Sequence, residues 1–225
     1  HARLFEGVYK HAGKIRDYNI SKAEWVLDGD SVMYGGASDL RATLDYDISQ
    51  ERDFSYKNLS LEQTIKHLAV FVSRLWQIHV FSEGNTRTTA VFFIKYLRTL
   101  GFDVTNDIFA ENAWYFRNAL VRANYTNLQK GVHETTEYLE AFLRNLLFGE
   151  KNELKNRYLH INCTLEAPKC KKDTESCTLD CTLDELSVLN LLREDGKMTQ
   201  KQLAESINKS ERTIKTITAS LEEKG

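Results

Sequence analysis

The chain has 225 residues, of which 42% are hydrophobic and 28% charged. That is enough for one large or two small domains, and the balance excludes a disordered or collagenous chain. The net charge of −2 gives no global basic field for nucleic acid, and no run approaches the ~18 apolar residues of a membrane span. No membrane partner is therefore expected. Four Cys fall within Cys163–Cys181 and none earlier, so a reducing cytoplasm is the expected compartment. No leader is visible, and a chain that begins at His1 rather than Met is expected to continue upstream.

In chain order, residues 1–9 read as the end of a helix with Leu4, Phe5 and Tyr9 apolar, and His11–Arg16 as a turn around Gly13. Residues 20–34 then alternate, and Asp28-Gly29 between β-formers predicts a small β-hairpin. Gly35-Gly36 ends it. Ser38 or Asp39 can cap a short helix to Leu44, and Asp45–Lys57 reads as an irregular loop. Ser60 caps a helix through Ile78, with Leu61, Ile65, Leu68, Ala69, Val72, Leu75 and Trp76 at helical spacing. A second helix, Arg87–Leu100, is nearly all apolar and is expected at the bundle centre, stopped by Gly101. Asn106 or Asp107 opens a region Phe109–Asn124, and His133–Phe148 is a further amphipathic helix closed by Gly149.

Residues 151–182 change character: they are rich in Lys, poor in large apolar residues, and carry a small degenerate Cys-Thr-Leu repeat. The four Cys are spaced C-x6-C-x6-C-x3-C without a C-x2-C knuckle, so a linker with reduced thiols is preferred to a zinc site. Residues 183–225 recover periodicity as three helices, the second capped by Thr199 and the third running Glu211–Glu223 with Ile214, Ile217 and Leu221 inward. Two helices joined at Asn208-Lys209-Ser210 form a helix-turn-helix pattern similar to the start of a winged-helix domain, with Arg212, Thr213, Lys215 and Thr216 facing outward. Seven Lys/Arg against eight Asp/Glu there leave DNA and a protein partner equally open. The expected domains are thus 1–150, a linker 151–182, and 183–225.

The chemistry concentrates in His79-Val80-Phe81-Ser82-Glu83-Gly84-Asn85-Thr86-Arg87, between two helices. Gly84 permits a tight turn, and the amides after it open a helix, where free N–H groups and the macrodipole favour an anion. Arg87 adds a forked donor for phosphate. Glu83 is a hard oxygen ligand as a phosphate-bridging Mg²⁺ would need. His79 is a base with an ordinary pKa near neutrality. Together these read as a phosphate-transfer site.

The loop resembles the Fic signature H-x-F-x-[DE]-G-N-G-R-x-x-R, matching at His79, Phe81, Glu83, Gly84, Asn85 and Arg87. Leu4-Phe5-Glu6-Gly7-Val8-Tyr9 and Ala12-Gly13-Lys14-Ile15-Arg16 are similar to the family's lead-in. The resemblance implies a mainly α Fic bundle with the hairpin as a flap over the site. It implies transfer of AMP from ATP with Mg²⁺ to a Ser, Thr or Tyr hydroxyl of a target protein, the chain itself included. On that pattern His79 is the base and Glu83 the metal ligand. Gly84, Asn85, Thr86 and Arg87 hold phosphate, the Asn85 side chain included, and Tyr115 and Asn124 are candidates at the nucleotide base. The flap, Glu24, Trp25, Val26, Leu27, Val32, Met33 and Tyr34, adds the target as a strand. Val80 stands in place of Pro, Thr86 in place of the second Gly, and Ala90 in place of the second Arg. Ala90 keeps transfer of another phosphate-containing group in view. A nucleotide-binding, DNA-associated regulator without transferase activity is the competing class, and a homodimer is a further open expectation.

Overall fold

The computed structural model describes residues 1–163 and 181–224. They are mainly helical and fall into two compact units, one of residues 1–54 and 65–163, the other of Ser55–Thr64 with 181–224. No described helix is long and apolar enough to cross a membrane.

The first unit begins with turns rather than the expected helix end, since Gly7 and Gly13 take left-handed φ of 75° and 84°. α1 runs Leu40–Asp53, absorbing most of the stretch expected to be an irregular loop. Its polarity hid it: only Leu40 and Glu51 are fully buried, with Leu44 packed beside Leu40, and a helix wetted on most of its surface carries little periodic signal. α2, Leu61–Ile78, starts in the second unit and delivers its C-terminal end to the signature loop. α3 is Asn85–Thr99. It is less central than its composition suggests, because Phe93, Ile94 and Leu97 are buried while Val91 is 37% exposed.

The expected region Phe109–Asn124 is two helices, α4 Asp107–Glu111 and α5 Ala113–Arg122, broken at Asn112. α6, Glu137–Phe148, packs on α5 through Phe116 and Phe142, whose ring centres lie 5.0 Å apart. Gly149 ends α6 in the left-handed region at φ 65°, as a C-terminal stop requires.

In the second unit, α7 Leu183–Glu194, α8 Gln200–Ser206 and α9 Glu211–Lys224 enclose Val188, Leu203, Ala204, Ile214 and Ile217. Capping boxes start α7 (Thr182 with Glu185) and α8 (Thr199 with Gln202), leaving few orphan amides. Ser60 pairs with Thr182 as an isolated antiparallel bridge, and the Leu61 N–H donates to the Cys181 carbonyl at 2.9 Å. Glu185, 4% exposed, accepts from the Thr182 N–H, the Ser220 hydroxyl and the Lys224 ammonium, tying α9 to the start of α7. The Cys repeat lies largely outside the described residues. Among the described residues no cluster of His, Cys, Asp and Glu is built to hold a metal.

Candidate functional site

α2 ends at Ile78 because His79 adopts φ 53°, the left-handed region, which a β-carbon makes costly. A buried arginine holds that turn. Arg16, 3% exposed, donates from Nε to the His79 carbonyl at 2.8 Å and from its terminal nitrogens to the carbonyls of Tyr18 and Gly35. Its own N–H donates to the Val80 carbonyl at 3.0 Å. The sequence offered Arg16 only as part of a familiar word; nothing local marks an arginine whose carbonyl partners lie up to 63 residues away.

The His79 ring is 4% exposed, and its nitrogens make no well-formed hydrogen bond among the described residues beyond an approach to the Trp76 backbone. Burial, with the Lys22 ammonium adding to it, pushes the imidazole down to about 3. The ring is therefore neutral at pH 7, the state a base needs, but it is covered. Tyr34 lies over it at 4.2 Å and Trp76 meets it edge-on at 5.3 Å. Tyr34 is itself anchored: its hydroxyl donates to Glu24 Oε1 at 3.0 Å, and Glu24, 1% exposed, is gripped by both terminal nitrogens of Arg117 on α5.

The expected β-hairpin is not a ladder. Asp28 and Gly29 do turn the chain, with φ of 57° and 88°, but the turn is a single 3₁₀ turn at Trp25–Leu27. Consecutive Val26 and Leu27 are both 0% exposed, which breaks the alternation a strand requires. Val32 and Tyr34 also point inward, and only Trp25 and Met33 of the named flap residues are exposed. The Gln77 amide donates to the Met33 carbonyl at 3.0 Å, and the Gly35 N–H to the Gln77 carbonyl, so this segment is fastened along the end of α2.

The signature loop differs in detail from its expected roles. Gly84 is the N-cap of α3 at φ 75°, but it approaches a side chain: a β-carbon there would stand 2.5 Å from the Phe5 ring. The Asn85 side chain accepts from the Phe81 N–H at 2.9 Å and donates to the Phe81 carbonyl at 2.6 Å, so it braces the loop instead of facing a ligand. The Thr86 hydroxyl accepts from the Trp76 indole at 3.0 Å. What remains for an anion is the start of α3 itself, where no side chain caps the first amides. Exposed Arg87 adds to this, with its guanidinium 5.1 Å from the Phe5 ring centre. Glu83 is exposed and stands 4.0 Å from the Lys22 ammonium.

Tyr115 is core, 3% exposed, with its hydroxyl on the Tyr138 carbonyl of α6. Asn124 instead lines a cavity of about 650 Å³ between α2, the end of α5 and the start of α6, shared with Gln77, Arg74 and Glu137. Its amide nitrogen donates to the carbonyls of Ser73 and Leu120, at 3.1 and 2.8 Å. A smaller apolar cleft of about 280 Å³ lies behind the loop, walled by Leu44, Ile48, Trp76, Phe81 and Phe92.

On α9, Arg212, Lys215 and Thr216 are exposed and Thr213 is half-buried, with Ile214 and Ile217 turned inward. Residues 1–97 match the sequence model of the Fic/DOC family, and residues 185–225 match that of winged helix-turn-helix DNA-binding domains. No curated protein and no solved structure matches the chain significantly.

Proposed function

We propose that the chain, whose residues 1–97 match the Fic/DOC family and residues 185–225 the winged helix-turn-helix domains, transfers AMP from ATP to a hydroxyl side chain of a protein. The observation that carries this reading is the pairing of an uncapped helix start with a buried, weakly bonded imidazole six residues earlier. A fold that buries an imidazole without a well-formed hydrogen bond forgoes about 1–3 kcal/mol, which is characteristic of a group kept for a partner still to arrive. His79 takes the proton of the target hydroxyl as its oxygen attacks the α-phosphorus. The amides of Asn85, Thr86 and Arg87 hold the phosphate oxygens, and Arg87 offsets charge on the departing pyrophosphate. Asn124 is the remaining candidate for the nucleotide base.

A single exposed carboxylate, Glu83, beside an anion site fits Mg²⁺, which keeps water and takes most other ligands from the phosphates. The ion would polarise the α- and β-phosphates there. Tyr34 must move before any hydroxyl reaches His79. Trp25 and Met33, the exposed residues of the flap segment, would then meet the target, and the exposed face of α9 would meet DNA or a protein.

Incubation with ATP labelled at the α-phosphate should give labelled protein, and His79→Ala should give none while keeping its fold. Wild-type labelling by His79→Ala would end the assignment. The covered imidazole also favours a second reading, a nucleotide-binding regulator without transfer. It predicts tight ATP binding with no label from any position, whereas label from the γ-phosphate alone would indicate kinase chemistry.

A further inference from the structure

A nucleoside triphosphate stays negatively charged even with one divalent cation on it, so its terminal phosphate needs a cation beyond those at the α-phosphate. α3 supplies only Arg87 in its first turns, where the next residues are Thr88, Thr89 and Ala90. Three cations act electrostatically on His79: Lys22, Arg16 and Arg117. Two are fixed in place. Arg16 is wedged among the carbonyls of His79, Tyr18 and Gly35, and Arg117 is clamped on the buried Glu24. Neither can turn to a ligand without breaking the loop or leaving a buried carboxylate bare.

Lys22 differs. Its side chain is 31% exposed and its ammonium meets Glu83 at 4.0 Å, at the outer limit of an ion pair. Its backbone is fixed, because its N–H donates to the Ser31 hydroxyl at 3.2 Å, so only the four-carbon stem is free to swing. Glu83 is the carboxylate assigned to the metal. A metal there would displace the ammonium from Glu83 by charge repulsion and leave it beside the phosphates. We infer that Lys22 is a nucleotide-binding residue that holds the terminal phosphate of a nucleoside triphosphate, exchanging its contact with Glu83 for one with phosphate when metal and nucleotide enter.

The inference rests on the nucleotide-binding reading above, and calorimetry on the full chain separates the two. Dissociation constants for ATP, ADP and AMP with Mg²⁺ are measured for wild type, Lys22→Gln and Lys22→Arg. Wild type should bind ATP more tightly than AMP. Lys22→Gln should weaken ATP binding about tenfold while changing AMP binding little, and Lys22→Arg should stay close to wild type. An unchanged ATP-to-AMP ratio in Lys22→Gln would overturn the role of Lys22 and leave the nucleotide site standing. Absence of binding by wild type would overturn the nucleotide site and Lys22 with it. Lys22 is half-exposed, so the substitutions should not disturb folding, and equal melting temperatures check this.

Discussion

The Tyr34 ring lies 4.2 Å from the His79 ring, centre to centre, with both side chains buried. Tyr34, which covers the imidazole, is itself held: its hydroxyl donates to the Glu24 carboxylate, which accepts in turn from Arg117. Removing the cover should expose the imidazole without touching it. In Tyr34→Ala, carbethoxylation of His79 by diethyl pyrocarbonate, followed by peptide mass spectrometry, should speed up about tenfold or more, with the other histidines unchanged. Equal rates would mean that something other than Tyr34 shields the ring.

Burial also makes His79 a liability in acid. Its pKa falls from the ordinary 6.5 to about 3 in the folded chain, so between those values the unfolded chain binds a proton that the folded chain does not. Stability from this group is full above pH 6.5 and is lost as pH falls toward 3, by roughly 3–5 kcal/mol in total. Melting temperatures of wild type and His79→Gln, compared from pH 7 to pH 4, should therefore converge or cross, with wild type losing more. A constant gap would show that His79 titrates normally.

Gly84 is constrained twice, by φ 75° and by the Phe5 ring 2.5 Å from where a β-carbon would stand. Gly84→Ala should cost about 2–4 kcal/mol in urea denaturation, from strained backbone and overpacking together. Adding Phe5→Leu should recover the packing part and not the backbone part. Full recovery would mean that the left-handed turn is cheap.

In the second unit, Glu185 gathers the Thr182 amide, the Ser220 hydroxyl and the Lys224 ammonium. Glu185→Ala leaves these groups without their acceptor and should cost about 2–3 kcal/mol. Hydrogen exchange should show it as faster exchange in the last turns of α9, with α5 and α6 unaffected. Unchanged protection in α9 would mean that the apolar core alone holds that helix.

Helices with one apolar stripe were legible in the sequence. α2 and α9 have theirs at helical spacing, and Ser60 before α2 and Thr199 before α8 announce caps through Gln63 and Gln202 three residues on. α1 was not, because a mostly wetted helix has little stripe to read. The segment at Glu24–Tyr34 misled for the opposite reason. Its Asp-Gly turn is real, but local alternation cannot show that Val26 and Leu27 would both be buried. The signature loop could be found from its residue types. The particular partners of those residues could not, since Phe5 on Gly84, Trp76 on Thr86 and Arg16 on the His79 carbonyl are all made by tertiary packing. Glu24 and Arg117, 93 residues apart, are each unremarkable charged residues until the fold joins them.

The Ser60–Thr182 bridge and the bond from Leu61 to Cys181 bear on how the protein can be divided. A gene fragment ending near residue 150 would retain the whole signature loop. Yet it would strip the opening turn of α2 of the backbone acceptor that sits more than a hundred positions downstream. A fragment starting at 183 would lack the ten-residue piece that packs with it. The unit of Ser55–Thr64 with residues 181–224 is drawn from two separate stretches of chain, so a boundary that follows the primary order divides it, and a recombinant version of that unit needs both pieces.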